Sequence, residues 1–171
     1  MKDAIYVENV VITYKRLSIV IKTDVIKSLF KVTNSHLESG GILYGFKIKE
    51  KNEYIISGIT NQQYFDRVTS TSYSRLDPNH IEIVNSIWKC DNTTMYLGDW
   101  HFHPSDYVFP SSTDYNTFKN NSVKCKTSSK YLFYLIVGKK EIALYICEKE
   151  DGAIINSQKI YFKDIFSGHK Y

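Results

Sequence analysis

Cysteine is scarce in this chain of 171 residues: Cys90, Cys125 and Cys147 are the only three. An odd number at wide, unpatterned spacings builds neither a disulfide framework nor a metal knuckle, so the thiols read as reduced filler and the compartment as cytoplasmic. No apolar run approaches the roughly 20 residues needed to cross a bilayer, and the N-terminus lacks a signal-peptide apolar core, which predicts a soluble, unexported protein without a membrane partner. Long blocks of one charge sign are absent too. The net charge is only +4, and Lys47-Ile48-Lys49-Glu50-Lys51 reads as a solvated strand end and turn, so a nucleic-acid partner is not expected. There are just three prolines, and each of Pro78, Pro104 and Pro110 therefore carries weight as punctuation.

Aromatic residues, in contrast, are plentiful. Fourteen tyrosines and nine phenylalanines suit strands and buried faces, and they read as structural rather than as a base-stacking array. The length supports a substantial core, and residues 1–171 read as a single α+β domain, a mixed β-sheet flanked by helices, with no internal repeat or low-complexity tract. Strands are predicted at 4–13 and 17–22, then a helix capped by Thr23-Asp24 with Val25, Ile26, Leu29 and Phe30 on its apolar face. Residues 41–48 and 54–60 form a hairpin beginning just after Glu38. Asp77-Pro78 opens a second helix whose apolar side, Ile81, Ile83, Val84, Ile87 and Trp88, packs on the sheet. Three further strands follow at 131–137, 141–147 and 153–162. The stretch from Gln62 to Arg75, a polar and aromatic mixture, reads as either a mobile loop flanking a site or an ordinary edge strand, with the strand slightly favoured.

The densest chemical signal is Trp100-His101-Phe102-His103-Pro104, followed by Ser111 and Asp114. A strand over 96–103 projects both histidines from one face, because side chains repeat with period two. Pro104 lacks an amide hydrogen and ends that strand at once, letting a loop curl back. A helix beginning near Tyr115 with a hydroxyl N-cap places Asp114 in its first turn, where the helix dipole favours a carboxylate. Two neutral imidazoles and a carboxylate leave a fourth tetrahedral position open, the arrangement of a catalytic zinc. Alone, a His-x-His pair reads more simply as a polar edge. Upstream, Glu38 precedes Gly40-Gly41, whose missing side chains permit close backbone approach or a sharp turn. Glu38 reads either as a solvated surface residue or as a carboxylate aimed into the site. Which of Ser111, Ser112 and Thr113 faces the site stays open on these residues.

The combination Glu38-x-Gly40-Gly41, His101-x-His103-Pro104 and Ser111-x-x-Asp114 resembles the JAMM (JAB/MPN-type) zinc metalloproteases, in order and in the ten-residue gap between His103 and Asp114. The resemblance implies an MPN/JAB-like domain binding one Zn2+ through His101, His103 and Asp114, with Glu38 as general base and then acid and Ser111 as oxyanion donor. Gly98-Asp99-Trp100 ahead of the histidines looks like the stand-alone bacterial members that accompany ubiquitin-like conjugation systems, including anti-phage ones. The implied function is a zinc-dependent isopeptidase or peptidase cleaving after the C-terminal glycine of a ubiquitin-like protein, its partner being that protein or its conjugate. Trimming of a sulfur-carrier protein is the nearest enzymatic alternative. A non-catalytic MPN scaffold is disfavoured by the complete motif, and a RadC-like DNA-associated protein by the weak charge.

Overall fold

The computed structural model describes residues 9–166. Its main element is an eight-stranded mixed sheet with the order β1-β2-β4-β3-β7-β8-β9-β10. The strands are β1 (Val10–Tyr14), β2 (Leu17–Ile21), β3 (Ser39–Ile48), β4 (Glu53–Ile59), β7 (Met95–Phe102), β8 (Tyr131–Val137), β9 (Glu141–Glu148) and β10 (Ile154–Tyr161), with a separate two-residue hairpin, β5 (Arg67–Val68) and β6 (Tyr73–Ser74). Neighbours run antiparallel except β2 with β4 and β7 with β8. The helices are α1 (Thr23–Val32), α2 (Asn79–Asp91), α3 (Ser112–Lys124) and the short α4 (Phe162–Phe166), and none is long and apolar enough to cross a membrane. The α+β class follows from this layering; the start of the strand predicted at 4–13 lies outside the described residues.

Two cores flank the sheet. On one side Val25, Ile26 and Leu29 of α1 and Phe162 of α4 meet Leu97, Trp100, Phe102 and the alternate residues of β8 and β9. On the other, Val108 and Phe118 of α3's approach and body meet Tyr134, Ile136, Ala143 and Tyr145. Covered on both faces, β8 and β9 read Tyr-Leu-Phe-Tyr-Leu-Ile-Val and Glu-Ile-Ala-Leu-Tyr-Ile-Cys-Glu, nearly unbroken apolar runs rather than alternations.

One irregularity aims the site. Leu97 and Trp100 enter the same core although three positions apart, because the β3–β7 register shifts there: Tyr44 pairs Tyr96 while Leu43 pairs Gly98. Leu97 is the extra residue of a bulge, and Gly98 takes a φ of 144° that a side chain would resist. The alternation restarts beyond it, sending Trp100 and Phe102 to the α1 side and Asp99, His101 and His103 towards α3.

Three local expectations need correction. The cap of α1 is Lys22, not Thr23-Asp24, and makes no side-chain hydrogen bond; the Asn9 side chain accepts from the Thr23 amide instead, at 3.0 Å. Phe30 is half-exposed but packs on Phe162 and Phe166 of α4. On α2 the buried residues are His80 and Val84, with Ile83 and Ile87 partly covered, whereas Ile81 and Trp88 are exposed. The spacing 80, 84, 87 defines the inward face, and it is fixed by His80's polar partners rather than by the densest apolar cluster. Finally, residues 62–75 are not an edge strand of the main sheet. They form a strap held over the sheet end, with the β5–β6 hairpin as its tip.

Candidate metal centre

At the end of β7 the strand register sets Gly40 opposite His101 and Ser39 opposite Phe102, which brings Glu38, immediately before β3, beside the histidines. Close approach, not an unusual dihedral, explains the glycines: a Cβ on Gly40 would lie 2.4 Å from the Tyr73 ring and 2.7 Å from the Trp100 carbonyl, and one on Gly41 would lie 2.0 Å from the Thr60 carbonyl. Glu38 is thus placed by strand pairing and by its amide, which donates to the Thr69 carbonyl at 2.9 Å.

After His103 the chain leaves the sheet at Pro104 and returns through α3. Ser111 is the N-cap: its hydroxyl accepts from the Asp114 amide while the Asp114 carboxylate accepts from the Ser111 amide, a complete capping box. Asp114 Oδ2 takes the Ser111 amide at 2.7 Å and the Ser111 hydroxyl at 2.6 Å. The Ser111 side chain, rather than that of Ser112 or Thr113, therefore stands against the candidate ligand.

The five motif residues converge. His101 lies between two carboxylates, Nε2 at 2.8 Å from Glu38 and Nδ1 at 3.0 Å from Asp114, and His103 Nε2 is 3.6 Å from Asp114. Glu38, His101 and His103 each offer a donor atom within 4.8 Å of the others, a group able to hold a metal ion. Burial works against charge on His101, but its bonds to Asp114 and Glu38 outweigh that and raise its pKa to about 9. Asp114, likewise buried, is held far below the usual carboxylate range by the two histidines and Ser111. Two imidazoles beside two carboxylates form a pocket tuned to hold positive charge, and this donor set fits a divalent cation of borderline softness.

The centre floors an open cleft of about 710 Å3. The lining of the cleft includes loop residues Pro104 and Ser105, helix residues Thr113 and Thr117, and strap residues Ser70 to Arg75. At its far end Asp99 pairs with Arg75 at 3.2 Å and accepts from Tyr96 and Asn121. Asp99 is thereby committed to structural partners.

Sequence reasoning missed the strap's anchor, Asp66. Its carboxylate accepts from the amides of Gln63, Leu76 and Asp77 and from the Tyr73 hydroxyl, and bonds His80 Nε2 at 2.8 Å. No local motif marks it, since its partners lie between Gln63 and His80 on the strap and on α2 and meet only after α2 docks. Burial opposes ionisation of Asp66, but the Gln63 amide, His80 and the Asp77 and Leu76 amides prevail and bring its pKa to about 2. A depressed carboxylate stabilises the fold above its unfolded pKa and loses that contribution as pH falls through the folded value. The difference in unfolding free energy between the natural protein and Asp66→Asn should accordingly shrink as pH falls from about 4 to about 2, measured by denaturant titration at several pH values. A difference constant across that window would refute the assignment.

Comparison with known proteins places these residues in context. The sequence profile of prokaryotic homologs of the JAB domain matches residues 30–149. A protein of Vibrio cholerae named CD-NTase/cGAS isopeptidase is 32% identical over 114 residues, covering 66% of this chain and 69% of its own. A protein of the same name from Escherichia coli is 30% identical over 128 residues, covering 72% and 78% respectively. The solution structure of a Desulfitobacterium hafniense protein superposes with a TM-score of 0.56 at 15% identity, over 84% of this chain and 90% of that one, a likeness of fold.

Proposed function

Because this chain belongs to the prokaryotic homologues of the JAB domain, we propose that it is a zinc-dependent isopeptidase that cleaves after the C-terminal glycine of a ubiquitin-like protein. The names of its relatives favour a protein of the CD-NTase/cGAS class as the other half of the conjugate. The observation that carries this reading is the convergence of Glu38, His101, His103 and Asp114 at the floor of one cleft.

His101, His103 and Asp114 would hold the ion. The two carboxylates differ in a way that divides their roles. Asp114 is anchored by its own capping box, stays ionised and is rigid, as a ligand should be. Glu38 bonds only His101 through its carboxylate, with no capping box to fix it, and stands beside the cleft where a water would approach. Bound zinc supplies Lewis acidity, which polarises the scissile carbonyl and makes a water easy to deprotonate near neutral pH. Glu38 takes the proton of the attacking water and returns it to the departing lysine amine. Ser111 exchanges its bond to Asp114 for one to the developing oxyanion and stabilises it. A glycine-ended tail suits the cleft, having little side-chain bulk to clash with the strap and α3.

The test uses zinc-loaded protein and two substrates of one ubiquitin-like protein, joined through its C-terminal glycine either to a lysine of a CD-NTase or to a linear peptide extension. Cleavage of the isopeptide conjugate is expected. Cleavage of the linear precursor alone would favour sulfur-carrier or precursor processing, and inertness toward both would leave the scaffold reading.

A further inference from the structure

The strap does more than border the cleft. Its anchor is a buried polar chain that begins on the central sheet: the Ile42 amide donates to the Thr60 hydroxyl at 2.8 Å, that hydroxyl lies 2.5 Å from His80 Nδ1, and His80 Nε2 lies 2.8 Å from Asp66. Asp66 as a carboxylate can only accept, so Nε2 of His80 carries the hydrogen given to it, and in the neutral ring Nδ1 then accepts the Thr60 hydroxyl hydrogen. His80 has no exposed surface and Thr60 almost none. Asp66 then receives the Tyr73 hydroxyl at 3.0 Å.

Tyr73 is the arm that reaches the metal centre. Its ring centroid is 5.8 Å from that of His101, and its edge fills the space over Gly40 that any larger residue would claim. The Thr69 carbonyl, on the same strap, receives the Glu38 amide. A chain of hydrogen bonds that starts on β3 and the residue after β4 therefore ends at the ring beside one candidate ligand, and the hairpin that carries this ring also holds the backbone of the candidate base.

We propose that Asp66, His80 and Thr60 are positioning residues that fix Tyr73 against His101 and the strap against Glu38, holding the hydrolytic centre in working geometry. This rests on the hydrolytic reading above. Satisfied buried networks are rigid, and a misplacement of about 1 Å in a reacting group costs on the order of a hundredfold; loss of one tether is a smaller displacement.

Tyr73→Phe is the decisive variant, since it keeps the ring and removes only the bond to Asp66. Tyr145→Phe serves as control, because it removes a buried hydroxyl that donates to the Val108 carbonyl rather than to the strap. With zinc bound, Tyr73→Phe should lower kcat about fivefold to tenfold with KM changed less than about twofold, whereas Tyr145→Phe should lose similar thermal stability without changing either constant. In metal-free protein the His101 ring resonance, assigned by its absence in His101→Gln, should move in Tyr73→Phe and stay fixed in the control. An unmoved resonance with unchanged kcat overturns the proposal, as does an effect confined to KM, which would make the strap a grip on substrate. If the natural protein hydrolyses no conjugate, the functional reading fails on its own, and the metal-free resonance still decides the positioning.

Discussion

Replacing Glu38 by glutamine is expected to lower turnover of the conjugate by at least about a hundredfold, the lower end of what a positioned acid or base contributes, while zinc content stays at one per chain. The reason is geometric as well as chemical. Glutamine keeps the shape of the glutamate side chain, and the Thr69 carbonyl still receives the backbone amide, so the substitution removes proton acceptance and little else. His101 keeps its second carboxylate, Asp114 at 3.0 Å, and the proposed ligand set is untouched. Steady-state kinetics alongside elemental analysis checks both halves. Wild-type turnover in Glu38→Gln would assign the base elsewhere, and Asp99 is poorly placed to replace it because it is already paired with Arg75, Tyr96 and Asn121. Loss of zinc together with activity would instead make Glu38 a ligand, as its place among the three donors within 4.8 Å permits.

Stripping the metal with a chelator is expected to abolish hydrolysis completely, and stoichiometric zinc to restore it, with the fold intact throughout. The centre sits at the end of β7, outside both apolar cores; neither core includes Glu38, His101, His103 or Asp114. The capping box that fixes Asp114 and the β3–β7 pairing that fixes Glu38 beside His101 are contacts of the protein with itself and do not need the ion. Circular dichroism and thermal unfolding of stripped protein should consequently show a cooperative transition. Full activity without metal would end the mechanism, and an unfolded apo-protein would mean that the ion is structural.

Much of this centre was legible in the chain because its information is local. Period-two alternation put His101 and His103 on one face, Pro104 ended the strand, and Ser111 with Asp114 spelled a helix start that the capping box realises. Glu38, 63 residues upstream of His101, was legible only through the resemblance of the whole pattern to a known family; pairing of β3 with β7 is what brings it to 2.8 Å. The misjudged face of α2 has a definite cause. Apolar counting favoured Ile81 and Trp88, but the helix turns His80 inward, where its ring bonds Thr60 and Asp66, and leaves those two side chains exposed.

The sequence by itself determined the types of most elements, the two-histidine strand end, a hydroxyl-capped helix start with Asp114 in its first turn and the order of the motif, all consequences of neighbours within a few positions acting through backbone geometry. The tertiary structure alone decided the bulge at Leu97 and Gly98 that turns the histidines towards α3, the approach of Gly40 to the Tyr73 ring, and the anchoring of the strap by Asp66 and His80. These depend on contacts between segments far apart in the chain, where strand register and the need to satisfy every buried polar group select one arrangement that no local preference encodes.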